Sequence, residues 1–140
     1  MHAGQSREGD GAPFIVHPRE VASLLCAVGA PDHLIAAGAL HDVIEKTTAG
    51  ASELRQRFAT RIVALVLAVS EDEQIADYAA RRAALRDQVA HAAEEALMLF
   101  AADKISKARE LRLGSAGLDM PLRQAGRESR LRARRLDHYQ

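Results

Sequence analysis

Only one stretch of this chain has the composition of a buried β-strand. It is IVALVLAV at 62–69, where Ile62, Val63, Val66 and Val69 are β-branched. A strand needs a partner for its backbone N–H and C=O groups, and no second run of this character is present to supply one. The segment is therefore read as a helix, apolar on nearly every side and so central to the fold. The rest of the chain points the same way: Ala and Leu abound, aromatic residues are scarce, and β-branched residues rarely alternate with polar ones. An all-α fold is the expectation, and 140 residues suit one domain over 1–140.

The opening HAGQSREGDGAPFIVHP, with its glycines and Pro13, reads as an ordered loop. Pro18 suits the first turn of a helix, where its missing N–H has no partner to lose, and Gly29 suits the position just past that helix's end. A second helix begins near Pro31 or Asp32 and carries HLIAAGALHDVIEK, with Leu34, Ala37, Leu40 and Ile44 at helical spacing. ELRQRFA makes a short helix ahead of the central run. From Ile75 to about Leu113 the period is helical, broken near 91–94, with Leu85, Val89, Leu97, Phe100 and Ile105 facing inward. Gly114 and Gly117 are expected to end it, and a last helix to follow Pro121.

Net charge is zero, so the field of the whole molecule gives no reason to expect nucleic acid or an anionic membrane as partner. The exception is local: Arg123, Arg127, Arg130, Arg134 and Arg135 make residues 118–140 a basic helix, read as a solvated face with Leu122, Leu131 and Leu136 as its inner edge. The lone Cys26, in VASLLCAV, has no disulfide partner and reads as a small core residue. No stretch is long and apolar enough to span a bilayer, and no signal-peptide pattern opens the chain. A soluble, cytoplasmic protein is the expectation.

Against this background three polar islands stand out, each among apolar neighbours: His17 in FIVHP, His41 and Asp42 in ALHDVIE, and Asp103 in LMLFAADKI. A buried charge without compensation costs several kcal/mol, roughly, so something must pair these groups. Two imidazoles and two carboxylates suit a divalent cation such as Mn²⁺, Fe²⁺ or Zn²⁺. Neighbouring residues on a helix point about 100° apart, so His41 and Asp42 can share an ion only if it sits at the helix flank. Any one of these residues taken alone reads first as a hydrogen-bonded core histidine or a capped aspartate; the four together favour a metal site. Glu45, one turn beyond His41 and Asp42, stands where it can orient or deprotonate a water.

The ordered strings HAGQSREG…GAPFIVHPREVASLL, AAGALHDVIEKT, ELRQRF and AADKISKAREL resemble the HD-domain phosphohydrolases. Within them the chain is most similar to the hydrolase domain of RelA/SpoT-type alarmone synthetase-hydrolases and to the small stand-alone alarmone hydrolases, from His2 to about Leu111. The resemblance implies a helical HD-domain bundle, a Mn²⁺ ion held by His17, His41, Asp42 and Asp103, and removal of the 3′-pyrophosphate from guanosine tetra- or pentaphosphate. A small nucleotide or pyrophosphorylated substrate is the partner it implies.

The chain departs from that pattern at several positions. The family's HDxxED has two acids serving the attacking water; here Glu45 is followed by Lys46. Lys46 either grips a substrate phosphate at the catalytic centre or extends to solvent at a helix end. Of the family's FRKxG loop, with Arg on guanine and Lys near phosphate, Arg7 remains and Glu8 replaces the Lys. Lys107 stands where ADKxxN carries an Asn near the ribose; it either approaches the substrate or pairs on the surface with Glu110 or Glu94. Family members also carry a helix ahead of HxGQxR, where only Met1 precedes His2 here: either that helix is dispensable or the true start lies upstream, and if the helix is missing an apolar groove is left open where it would pack. Two other readings stay open: a metal- or nucleotide-sensing module without turnover, and RNA contact through the arginine tail.

Overall fold

The computed structural model describes residues 2–118, and over these the chain is helical with no strand. Its elements are α1 (Val16–Ala27), α2 (Asp32–Leu40), α3 (Val43–Lys46), α4 (Ala51–Arg57), α5 (Thr60–Ala68), α6 (Tyr78–Ala90) and α7 (Glu94–Leu118). The basic helix expected after Pro121 lies outside the described residues.

Packing follows from the apolar faces. α1 lies along α2 and α7, while α2 also meets α5 and α7, and α6 packs on α7. Val21 and Leu25 of α1, Leu34 and Ala37 of α2, Val63 and Val66 of α5, Leu85 and Val89 of α6, and Leu99 of α7 fill the space between them. As expected, the run 62–69 is a central helix, touched by α2, α4 and α7. Burying such side chains contributes roughly 1.5–3 kcal/mol each, which is what offsets the entropy of ordering short helices that would not persist alone.

Two local features set the positions of the polar groups. α1 ends as expected at Gly29, whose φ of +74° is a left-handed conformation. There the Gly29 N–H donates to the Cys26 carbonyl and the Ala30 N–H to that of Leu25, which turns the chain sharply into α2. The two helices then pack closely at Gly38, where a Cβ would stand 2.7 Å from Leu25 Cδ1.

The N-terminal loop is ordered, as expected. Ser6 and Pro13 bridge across it, with the Arg7 N–H donating to the Ala12 carbonyl and the Phe14 N–H to that of Gln5. It lies against α7, close enough that a Cβ on Gly114 would collide with the Gly9 carbonyl oxygen.

Several expectations are corrected. The helix through HLIAAGALHDVIEK is not continuous: α2 stops at Leu40 and α3 restarts at Val43, with Asp42 at ψ −1° between them. α7 runs through Gly114 and Gly117 to Leu118, because Gly114 serves a close approach of the N-terminal loop rather than a helix end. Leu97 and Ile105 are exposed; α7 turns Ala96, Leu99, Ala102, Ser106 and Glu110 inward. Cys26 is exposed, one position off the buried stripe of His17, Val21 and Leu25.

Candidate metal centre

His17 enters the core from the first turn of α1, fully buried, with Phe14 edge-on at 5.9 Å between ring centroids. His41 follows the end of α2 and is held there by its own turn, since its Nδ1 lies 2.7 Å from the Gly38 carbonyl oxygen. A carbonyl only accepts, so Nδ1 carries the proton and Nε2 presents a lone pair. The same Gly38 that lets α2 approach α1 thus orients His41. Asp103 reaches across from the middle of α7.

These side chains meet at one point. The two Nε2 atoms are 3.2 Å apart. Asp103 Oδ1 is 3.0 Å from His17 Nε2 and 3.4 Å from His41 Nε2. Asp42 Oδ2 is 3.4 Å from His17 Nε2, and its Oδ1 is 3.4 Å from His41 Nε2. One donor atom from each of His17, His41 and Asp42 lies within 4.8 Å of the others. A straight helix would have splayed His41 and Asp42 about 100° apart; the interruption between α2 and α3 is what allows both to face this point.

The electrostatics ask for a cation there. Burial disfavours charge on His41, but the hydrogen bond to Asp103 and the charges of Asp42 and Asp103 outweigh it and raise its pKa. Burial likewise works against an ionised Asp103, yet contacts with His17 and His41 and the charge of Lys104 hold its carboxyl well below the usual carboxylate range. Asp42 Oδ2 is buried with no hydrogen-bond donor among the described residues. Facing nitrogens, flanking carboxylates and an orphaned oxygen fit a divalent cation with mixed N/O ligands.

Around the centre the other expected residues take varied positions. Glu45 is half-buried, and its Oε1 accepts a hydrogen bond from the Glu71 N–H. Burial raises the Glu45 pKa, opposed by that hydrogen bond, with the charges of Asp42 and Glu71 adding to the rise and Lys46 opposing it. Lys46 is exposed at the end of α3 and has no ion pair among the described residues, while its backbone carbonyl accepts from Gln5 Nε2. Lys107 Nζ is 3.7 Å from Glu110 Oε2 and lies over the Phe14 ring, so the pairing with Glu110 is present.

Arg7 is only 6% exposed; it donates to Asp10 and has Glu20 and Glu110 each 4.0 Å away. Burial is opposed by these partners; the Asp10 hydrogen bond, the largest influence, raises the Arg7 pKa.

Three residues that sequence reasoning missed also belong here. Ser106 Oγ lies 2.9 Å from His17 Nδ1, and Glu20 accepts from that hydroxyl at 3.1 Å. Glu71 holds Glu45 through its backbone and is itself paired with Arg81 at 3.0 Å and Arg82 at 3.2 Å. Glu20 and Glu71 sit in charged surroundings that give no sequence signal, but Ser106, three residues after Asp103, shares its helix face and could have been flagged.

A family profile described as an HD domain matches residues 1–112. The chain belongs to the HD-domain family. This HD domain is 32% identical over 114 residues to a GTP pyrophosphokinase of Streptomyces coelicolor, covering 79% of this chain and 13% of that protein. It is 36% identical over 74 residues to the bifunctional (p)ppGpp synthase/hydrolase SpoT of Escherichia coli, covering 53% of this chain and 10% of SpoT.

Among solved structures, a metazoan ortholog of SpoT described as hydrolysing ppGpp superimposes with a TM-score of 0.73 at 25% identity, covering 80% of this chain and 64% of that one. The lmo0812 protein of Listeria monocytogenes does so at 0.67 and 28% identity, covering 74% and 65%. The HD domain thus spans only 10 to 13% of the length of these two curated relatives. No described helix is long and apolar enough to cross a membrane.

Proposed function

We propose that this HD domain is a metal-dependent phosphohydrolase that removes a pyrophosphate from a nucleotide of the (p)ppGpp kind. The observation that carries the reading is the convergence of His17, His41, Asp42 and Asp103 on one buried point. The similarity to a ppGpp-hydrolysing protein over most of the chain supports it. In this reading those four side chains are the ligands, and Mn²⁺ is the assigned ion. A bound divalent cation supplies Lewis-acid polarisation of a phosphoryl oxygen and makes a water acidic enough to attack near neutral pH.

The chain's own groups do the rest. Glu45 takes the proton of the attacking water as a new oxygen–phosphorus bond forms. The bond from the ribose 3′-oxygen to phosphorus breaks and pyrophosphate departs, the 3′-oxygen regaining a proton from solvent. A carboxylate whose pKa is raised by burial is a better base near neutral pH than a solvated one. Glu71 aims it by donating from its backbone. Lys46, exposed next to Glu45, is assigned to the phosphate chain of the substrate, Lys107 to its sugar-phosphate side and Arg7 to its base. A nucleotide substrate carries with it a cytoplasmic location.

The alternative is a metal- or nucleotide-binding sensor without turnover, favoured by the lysine in place of an acid at position 46. Incubation of the Mn²⁺-loaded protein with ppGpp, pppGpp and a panel of nucleotides separates the two. Pyrophosphate release that stops on Glu45→Gln, with bound metal unchanged, is expected of the enzyme; binding without product would reassign the chain as a sensor.

A further inference from the structure

Resting on the metal reading above, the geometry points to Ser106 and Glu20 as positioning residues: a relay that fixes the proton of His17 on Nδ1 and so presents the Nε2 lone pair to the cation. His17 is flanked by α7 on both sides of its ring. Asp103 Oδ1 stands 3.0 Å from Nε2, and one turn later Ser106 Oγ stands 2.9 Å from Nδ1. Left alone between these groups, a neutral imidazole would put its proton on Nε2, towards the carboxylates, and the cation would have to displace it.

A hydroxyl has one proton, and the surroundings of Ser106 decide where it goes. Glu20 Oε2 lies 3.1 Å from Oγ, and an ionised carboxylate can only accept. On its other side Glu20 meets cations: Arg109 Nη1 donates to its Oε1 at 3.1 Å, and Arg7 Nη1 is 4.0 Å from Oε2. The Ser106 hydroxyl therefore donates to Glu20 and has only lone pairs left for His17. Nδ1 must then be the donor of that pair, and Nε2 is free. Ser106 is wholly buried, so no water competes for either position. The relay also ties the loop that carries Arg7 to a ligand of the centre through Glu20.

Outer partners of this kind typically change metal affinity 10- to 100-fold when removed. The test uses the described protein with ¹⁵N-labelled histidine, metal-free, at a pH where free imidazole is neutral. In the wild type His17 Nδ1 is expected to carry a proton in the long-range ¹H–¹⁵N spectrum. Ser106→Ala and Glu20→Ala are expected to move that proton to Nε2 and to weaken Mn²⁺ binding, measured by competition with a chelator, by about 10- to 100-fold. Glu20→Gln keeps the size of the side chain but, with its one oxygen held by Arg109, turns a donor NH2 towards Ser106, and is expected to shift the proton to Nε2 and weaken binding as Glu20→Ala does, which a loss of packing alone would not do.

Should Ser106→Ala not fold, the Glu20 pair decides by itself. A wild-type His17 with bare Nδ1, or Mn²⁺ affinity indifferent to every variant, overturns the relay. A wild type with protonated Nδ1 that binds no divalent ion overturns the metal reading and leaves the relay standing.

Discussion

His17 Nε2 and His41 Nε2 face each other at 3.2 Å across the α1–α2 junction, with Asp42 and Asp103 on either side. Two imidazole nitrogens at that distance are held together either by a proton that one donates to the other or by a metal ion between them. A ligand that binds only the folded state stabilises it, by about 2.7 kcal/mol when present at a hundred times its Kd.

Mn²⁺ added to the chelated protein is therefore expected to raise its Tm by several degrees. Metal analysis should find one ion per chain, and His41→Ala or Asp103→Asn should abolish both the ion and the shift. A Tm that ignores divalent ions would place a proton, not a metal, between the two rings.

Gly38 links packing to the centre. Its missing Cβ leaves room for Leu25, while its carbonyl holds His41. Alanine would gain about 1 kcal/mol in helix propensity but would bring a methyl to 2.7 Å from the buried Leu25 Cδ1. Overpacking of this kind costs about 1–3 kcal/mol, so the clash wins or at least cancels the gain. Gly38→Ala is expected to be neutral to roughly 2 kcal/mol destabilising by denaturant unfolding, and to weaken metal binding more than stability, since it pushes the helix bearing His41 away from the one bearing His17. Unchanged metal affinity would show that the centre does not depend on the α1–α2 spacing.

How much of this was legible beforehand depends on the residue. His17, His41, Asp42 and Asp103 could be picked out because ionisable groups in aliphatic strings are costly unless something compensates them, and the structure brings all four together. The all-helical fold was legible because Ile62–Val69 had no strand to pair with. The break at His41–Asp42 was not, since apolar periodicity runs on through Ile44 and the interruption is imposed by two adjacent side chains turning to one point. Nor was the inner face of α7: Ser106 and Glu110 are polar and buried, whereas Leu97 and Ile105 are apolar and exposed, so hydrophobicity pointed outward. Gly114 shows the same limit, because a glycine that makes room for another segment looks like one that ends a helix.

That close approach gives a third expectation. A methyl at position 114 would strike the backbone carbonyl of Gly9, which cannot rotate away as a side chain can. The loop would have to lift, losing the hydrogen bond from the Gly9 N–H to Glu110 Oε1 at 2.9 Å. Gly114→Ala is therefore expected to speed amide exchange in residues 4–13 while α5 and α6 keep their protection. Uniform exchange across the chain would mean the loop is not held by α7.

The raised pKa of Glu45 makes a prediction about pH. Burial favours its neutral form, so the folded state binds this proton more tightly than the unfolded chain does. Ionised Glu45 accordingly costs stability above its folded pKa. That cost fades as pH falls through the folded pKa and is gone below the unfolded value of about 4.3. In metal-free protein, Glu45→Gln is expected to raise the Tm near pH 7 and to lose this advantage by about pH 4. An advantage that persists unchanged in acid would trace to packing rather than to the charge.

Lys46 stands where the resemblance to HDxxED implies an acid, and reversing it tests what the lysine does. The lysine opposes the rise in the pKa of Glu45, so an acid at this position would push that pKa further up and make Glu45 a stronger base. The same change would remove an exposed cation from the path of a polyphosphate. These effects fall on different constants. If the lysine only damps the base, Lys46→Asp should raise kcat on ppGpp with KM little changed. If it binds phosphate, the variant should raise KM by roughly tenfold, the worth of about 1.4 kcal/mol in a charge-assisted contact, and the loss should grow with the number of phosphates on the substrate. Lys46 is exposed and unpaired among the described residues, so its side chain takes no ion pair with it, and the Tm of each variant separates any loss of stability through Glu45 from the kinetic constants. Kinetics of Lys46→Asp and Lys46→Ala on ppGpp and pppGpp therefore separate the two roles, and equal parameters for all three proteins would leave the side chain in solvent with no part in the reaction.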